Sequence, residues 1–211
     1  MFQRHRFDRL VLESVAGRPF VVLPEVFNPA LFWTSEFMVR ALDPVLIPPG
    51  SRVLDMGTGS GVGAVFASRW ASGVTAVDVN PAAVRCARIN VLLNGVEDRV
   101  EVRESELFAA LGGERFDVII FNPPYFRGEP GRDLDRAFRG PGVIDGFAEH
   151  LRDHLRDGGH ALVVLSSAGD EARCLDLFAR HQYRVDVVAR RELWSETLTL
   201  YKVHRPIVPA G

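Results

Sequence analysis

The sequence predicts a doubly wound α/β fold whose seven-stranded sheet is mostly parallel and finishes in an antiparallel C-terminal hairpin. Three observations predict it. Short apolar runs of strand length alternate with segments of helical period, which implies parallel strands joined by crossover helices. The first such run, Arg52-Val53-Leu54-Asp55-Met56, empties into the glycine-rich turn Gly57-Thr58-Gly59-Ser60-Gly61, a junction that lets the backbone pass close to a ligand. The last two strand-like runs, residues 183–188 and 198–203, have no helix between them, so they pair antiparallel at one edge.

In chain order, residues 1–18 carry Phe7, Leu10, Val11 and Val15 at near-helical spacing and stop at Gly17, which predicts a short helix. Residues 20–23 and 26–27 are extended, split by Pro24, and Asn28-Pro29 is a turn. The run 34–42 predicts a helix started by the hydroxyl of Thr34 or Ser35. After the glycine turn, residues 74–77 form a second strand ending in Asp78, and Asn80-Pro81 opens a helix that runs to about Asn94-Gly95. The third strand, 100–103, leads into Glu104-Ser105-Glu106-Leu107-Phe108, and the fourth, 117–121, into Asn122-Pro123-Pro124-Tyr125. Residues 126–142 are rich in Gly, Arg and Asp and read as a loop over whatever that turn holds. Helix 143–156 puts Phe147, Leu151 and Leu155 on one face and ends at Gly158-Gly159. Residues 161–165 are a fifth buried strand, and a last helix ends near His181 before the hairpin.

Composition narrows the function. With 211 residues and 47% hydrophobic content, the chain has enough apolar material for one sizeable core. A formal charge of −2 gives no general attraction to polyanions, so nucleic acid is not a favoured partner. Cys86 and Cys174 lie far apart, each in a helical pattern, which supports neither a disulfide framework nor a thiolate metal site. Met1-Phe2-Gln3-Arg4-His5-Arg6 lacks the long apolar stretch of a signal peptide, and a cytoplasmic protein is expected.

The chemistry converges on the carboxyl ends of the strands, where a sheet of this kind binds ligands. At Asn122-Pro123-Pro124-Tyr125 two prolines fix the backbone and remove two donors, leaving an acceptor-rich turn. The Asn122 amide oxygen and the Pro123 carbonyl can each accept a hydrogen from a planar NH2 group, and Tyr125 offers a stacking face. Asp78 lies about 20 residues beyond the glycine turn, where an acid takes the hydroxyls of a ribose. Gly59-x-Gly61-x-x-Ala64 formally satisfies a dinucleotide pattern, but Asp55 at the strand end would repel a pyrophosphate and suits a cationic ligand. S-adenosylmethionine, with its ammonium and sulfonium, fits that site better.

Val53-Leu54-Asp55-Met56-Gly57-Thr58-Gly59-Ser60-Gly61, Val77-Asp78-Val79-Asn80-Pro81 and Asn122-Pro123-Pro124-Tyr125 together resemble the class I S-adenosylmethionine-dependent methyltransferases, specifically the HemK/PrmC-type glutamine methyltransferases. The resemblance spans residues 20–205 and implies a Rossmann-like methyltransferase domain over 34–205, an N-terminal extension over 1–33 and a tail at 206–211. It implies that Asp55, Gly57 and Gly59 line the methionine end of the cofactor, Asp78 the ribose, and Glu106 with Leu107 the adenine, with Thr58, Gly61, Asn80 and Asn122 as further cofactor-binding residues. Ser35 falls where the family has a threonine that contacts the methionine part, and Glu106 stands where the family has an aspartate. It also implies catalytic roles for Asn122, Pro123 and Tyr125, with S-adenosylhomocysteine as product. The chain looks like a stand-alone form without the helical docking domain of bacterial members. Such relatives can need a small zinc-binding partner subunit; a monomer is otherwise expected.

The expected reaction is methyl transfer to a planar nitrogen, first of all a protein glutamine amide, with a small metabolite or nucleobase amine as the alternative acceptor and a cofactor-binding module without activity as the alternative of another class. Three further features read as structural. His150 and His154 have helical metal-pair spacing without a third ligand. Arg127, Arg132, Arg136 and Arg139 alternate with Glu129, Asp133 and Asp135, as on a solvated loop. Trp194 and Glu196 are expected to cover the sheet edge.

Overall fold

In the computed structural model, residues 9–31, 33–123 and 142–206 are described. Strands β1 (Val11–Val15) and β2 (Arg18–Val22) precede helix α1 (Trp33–Ala41). The main sheet then begins with β3 (Arg52–Met56), α2 (Val62–Ala67), β4 (Gly73–Asp78), α3 (Pro81–Leu93), β5 (Val100–Glu104) and β6 (Phe116–Phe121). It is completed by α4 (Val143–His154), β7 (Leu155–Ser166), α5 (Glu171–Arg180), β8 (Arg184–Glu192) and β9 (Thr197–His204). The seven strands run in the order β5-β4-β3-β6-β7-β9-β8. β3 to β7 pair in parallel, and β9 pairs antiparallel with both β7 and β8, as the missing crossover helix requires.

Both faces of the sheet are covered, which is why its central strands are continuous apolar runs and not alternating ones. Val53, Val74, Val118, Ile120, Leu162 and Leu200 pack on one side with α1, α2 and α3. Leu54, Met56, Ile119, Phe121, Val163 and Leu165 pack on the other, against Phe147 and Leu151 of α4 and Phe178 of α5. Among the described residues no helix is long and apolar enough to cross a membrane.

Over residues 11–22 a hairpin replaces the predicted N-terminal helix, whose first eight residues lie outside the described ones. β1 pairs with β2 from Val11↔Val22 to Val15↔Arg18, and the two-residue turn has Ala16 at φ 46 and Gly17 at φ 84. Positive φ at both turn positions matches the twist of the flanking strands. The alternation Val11, Glu13, Val15 inward against Leu12 and Ser14 outward is therefore the relevant period. Asn90 of α3 secures the hairpin: its Oδ1 accepts from Val21 N at 2.7 Å, and its Nδ2 donates to Val21 O at 2.7 Å and Ser60 O at 2.8 Å. One fully buried side chain thus ties β2 to the glycine turn.

The α4 helix stops at His154, before the glycine pair expected to end it. Gly158 and Gly159 lie within β7, at a break in register between Phe116↔Leu155 and Val118↔His160. A side chain at Gly159 would meet Asp117 O at 2.9 Å, so this is a point of close backbone approach. His154 is buried, with its ring stacked 4.5 Å from that of Phe108 and Nδ1 2.8 Å from Glu114 O. Trp194, expected to cover an edge, stands fully exposed at the β8–β9 tip, while Glu196 accepts a hydrogen bond from Ser166.

Candidate active site

Chain direction reverses its placement at β3: β4 and β5 extend the sheet one way, and β6 returns to the other side of β3. Such a switch point opens a crevice at the carboxyl ends of the two strands. Register fixes what borders it. Met56 pairs with both Val77 and Phe121, so the next residues along, Asp78, Gly57 and Asn122, stand in a row at the carboxyl ends of β4, β3 and β6. At about 4.8 Å per strand spacing, Asp78 and Asn122 are separated by roughly 10 Å, a span that suits a nucleoside with a reactive group at its far end.

The turn between β3 and α2 is held by two carboxylates. Asp55 Oδ2 accepts from Thr58 Oγ1 at 2.6 Å and from Ala64 N at 2.8 Å. Its carboxylate is turned into the loop and is 4% exposed, so the amide at the start of α2 is already bonded within the protein. Burial pushes the Asp55 carboxyl up to about 6 against the lowering effect of these two bonds. Gly63 is required here: a Cβ would lie 2.4 Å from Asp55 Oδ1. Asp78 closes the other side, with Oδ2 accepting from Gly59 N and Oδ1 from Asn80 N, both at 2.9 Å. Burial raises its pKa as well. The carboxylate has about four acceptor sites in all, so it keeps capacity for an outside hydroxyl.

Gly57, Gly59 and Gly61 all have positive φ, at 63°, 56° and 85°, which gives the turn its tight path. Asn80 caps α3: its Oδ1 accepts from Ala82 N at 2.8 Å and its Nδ2 donates to Glu25 O at 3.0 Å. Its side chain is committed to these two bonds, beside Asp78. Glu106 is exposed and Leu107 half-buried at φ 46. Ser105 maintains that unusual backbone, its Oγ donating to Leu107 O at 2.8 Å and accepting from Ala110 N at 3.0 Å. Nothing in the sequence marked Ser105 as the organiser of this turn.

Asn122 ends β6. Its Nδ2 donates to Thr34 Oγ1 at 3.2 Å and is 3.5 Å from Ser35 Oγ, whereas its Oδ1 is buried and lacks a hydrogen-bond partner among the described residues. Thr34 and Ser35 are the second and third residues of α1 and are buried, so they do not act as the cap expected of them. Pro123 is buried beside Asn122. Tyr125, the loop that follows it and its four arginines lie outside the described residues.

A sheet of this order with an antiparallel terminal pair defines the class I S-adenosylmethionine-dependent methyltransferases, and the protein is an enzyme of that class. Residues 19–193 match the methyltransferase small domain family, to which the chain belongs. A Methanocaldococcus jannaschii chain provisionally named protein N5-glutamine methyltransferase is 29% identical over 201 residues, covering 91% of this chain and 98% of that one. The release factor glutamine methyltransferase of Cereibacter sphaeroides is 32% identical over 194 residues, covering 79% of this chain and 68% of the relative. The solved structure of the T. thermophilus 16S rRNA N2 G1207 methyltransferase, in complex with AdoMet and guanosine, shares the fold. It has a TM-score of 0.67 at 23% identity and covers 94% of this chain and 50% of that chain.

Proposed function

We propose that this methyltransferase acts on the side-chain amide nitrogen of a glutamine in a protein, as the names of the two relatives described above suggest. The observation that carries the reading is the buried Oδ1 of Asn122 at the switch point, without a partner among the described residues, because an orphaned acceptor costs about 1–3 kcal/mol unless something comes to meet it. A planar NH2 group meets it, one hydrogen going to Asn122 Oδ1 and the other to the Pro123 carbonyl.

The turn residues and Asp78 fit the cofactor. Asp78 would take the ribose hydroxyls on its remaining acceptor capacity, Gly57, Thr58, Gly59 and Gly61 would border the methionine end with Asp55 and Ser35, and Asn80, Glu106 and Leu107 would flank the nucleoside. When bound, S-adenosylmethionine supplies an electrophilic methyl carbon on a sulfonium. An amide nitrogen is a poor nucleophile because its lone pair is delocalised into the carbonyl. Asn122 and Pro123 compensate by holding both hydrogens, which aims the remaining lone pair at the crevice at a reacting distance of about 3–3.5 Å. Methyl transfer to the nitrogen, with the sulfonium sulfur as leaving group, would build positive charge on nitrogen, and the hydrogen bonds to Asn122 and Pro123 would strengthen as it grows. The surplus proton then leaves the acidified nitrogen for water, so no strong general base is required.

Incubation with methyl-tritiated cofactor and separate protein, nucleic-acid and metabolite fractions tests this. Label is expected in protein and, after digestion, on methylated glutamine. Label confined to nucleic acid or metabolites overturns the glutamine assignment, and no label in any fraction even with unlabelled lysate added back overturns the activity. The assembly proposed is a cytoplasmic monomer; an activating subunit would show as labelling by the purified chain that appears only when unlabelled lysate is added back.

Asp78→Ala removes the ribose acceptor and frees the Gly59 amide. Cofactor affinity measured by calorimetry is expected to fall about 10- to 100-fold, the value of about one hydrogen bond to a charged group. Unchanged affinity would show that the ribose lies elsewhere.

A further inference from the structure

We propose that Thr34 is a positioning residue that sets which end of the Asn122 carboxamide faces the substrate; the proposal rests on the acceptor role of Asn122 given above. A carboxamide has two nearly isosteric orientations. With the nitrogen toward α1, as here, the oxygen is turned away from the helix and stands as an acceptor. In the opposite orientation two N–H hydrogens would replace it, and a donor cannot hold an amine. A hydroxyl behind Asn122 that accepts from Nδ2 holds the carboxamide in the orientation with its oxygen free.

What lies behind it is the first turn of α1. Thr34 Oγ1 is 3.2 Å from Asn122 Nδ2, and Ser35 Oγ adds a longer contact at 3.5 Å. Both residues are buried, with Thr34 6% exposed, so water does not readily take the place of the hydroxyl. Thr34 sits on a helix packed against α2 and the core through Phe37, Met38 and Val39. That anchoring gives the hydroxyl a fixed position from which to accept the Nδ2 hydrogen. The Thr34 hydroxyl acts on the reaction only through Asn122 and does not touch substrate.

Thr34→Val keeps the shape and deletes the hydroxyl; Thr34→Ser restores it. Initial transfer rates at saturating methyl-tritiated cofactor, using the protein fraction of a lysate as acceptor, and cofactor affinity by calorimetry are the readouts. The valine variant is expected to lose about five- to tenfold in rate, the size of one hydrogen bond, with cofactor affinity changed less than about twofold. The serine variant is expected to recover to within about threefold of the parent. In an Asn122→Ala background, Thr34→Val should change the residual rate by less than about twofold, since its effect passes through that side chain. Full activity in Thr34→Val, loss of cofactor affinity, failure of serine to rescue, or an additive double variant would each overturn the proposal. A fully active Asn122→Ala single variant would instead overturn the acceptor role beneath it.

Discussion

Asn122→Ala is expected to lower the rate of methyl transfer by about 10²- to 10³-fold at saturating cofactor, the range seen when one preorganised hydrogen-bonding group is removed from a site of developing charge. Cofactor affinity should change by less than about threefold, because Asp78 and the glycine turn are untouched. Stability supplies a second readout. The alanine loses the hydrogen bonds to Thr34 and Ser35, but it also removes a buried oxygen without a partner among the described residues. The two contributions are each about 1–2 kcal/mol and opposite in sign, so the melting temperature should stay within a few degrees of the parent. An inactive variant that melts normally identifies a group retained for chemistry at no gain in stability. An active one would remove Asn122 from the mechanism.

Much of the frame could be read from residues alone, for reasons the structure makes plain. Residues 53–56, 74–77 and 118–121 are buried on both faces of a sheet, so their apolar runs carry no competing signal. Asn80-Pro81 is a helix start whichever way the helix packs, and Asn80 does cap α3. Parallel strands also place every βα turn at one end, which is enough to bring Asp78, Gly57 and Asn122 together. Where tertiary contact selects the partner, sequence failed. Val11 and Val15 satisfy a helical spacing as well as a strand alternation, and the hairpin is decided by its Ala16-Gly17 turn and by Asn90, 69 residues from Val21. Thr34 is an ordinary cap residue until β6 brings Asn122, 88 residues away, to its hydroxyl. Asp55 could be recognised as a carboxylate at a strand end, but not as one turned inward to Thr58 and Ala64.

That inward turn has a measurable consequence for pH. Burial raises the Asp55 carboxyl to about 6, above the value of about 3.9 expected of an unfolded chain. A folded state that holds the proton more tightly gains stability from it in full only below the unfolded value, and loses that contribution as pH rises through 6. The total is about 3 kcal/mol, of which about 2 falls between roughly pH 4.5 and 7.5. The parent's own profile obscures it. Burial and the charge of Lys202 push the His160 imidazole down to about 4, and its contribution is present above about pH 6.5 and lost as pH falls. The two slopes oppose each other across the same range, so the informative quantity is the difference between Asp55→Asn and the parent. Asparagine cannot ionise, yet its oxygen can still accept from Thr58 and Ala64. In urea denaturation the variant should gain about 2 kcal/mol on the parent between about pH 4.5 and 7.5, whatever its offset at the acidic end. A constant difference across the range would mean that the Asp55 carboxyl titrates at its ordinary value. A rising one means that at neutral pH the loop is tied down by a buried charge, retained at a cost in stability for the path it imposes on the glycine turn.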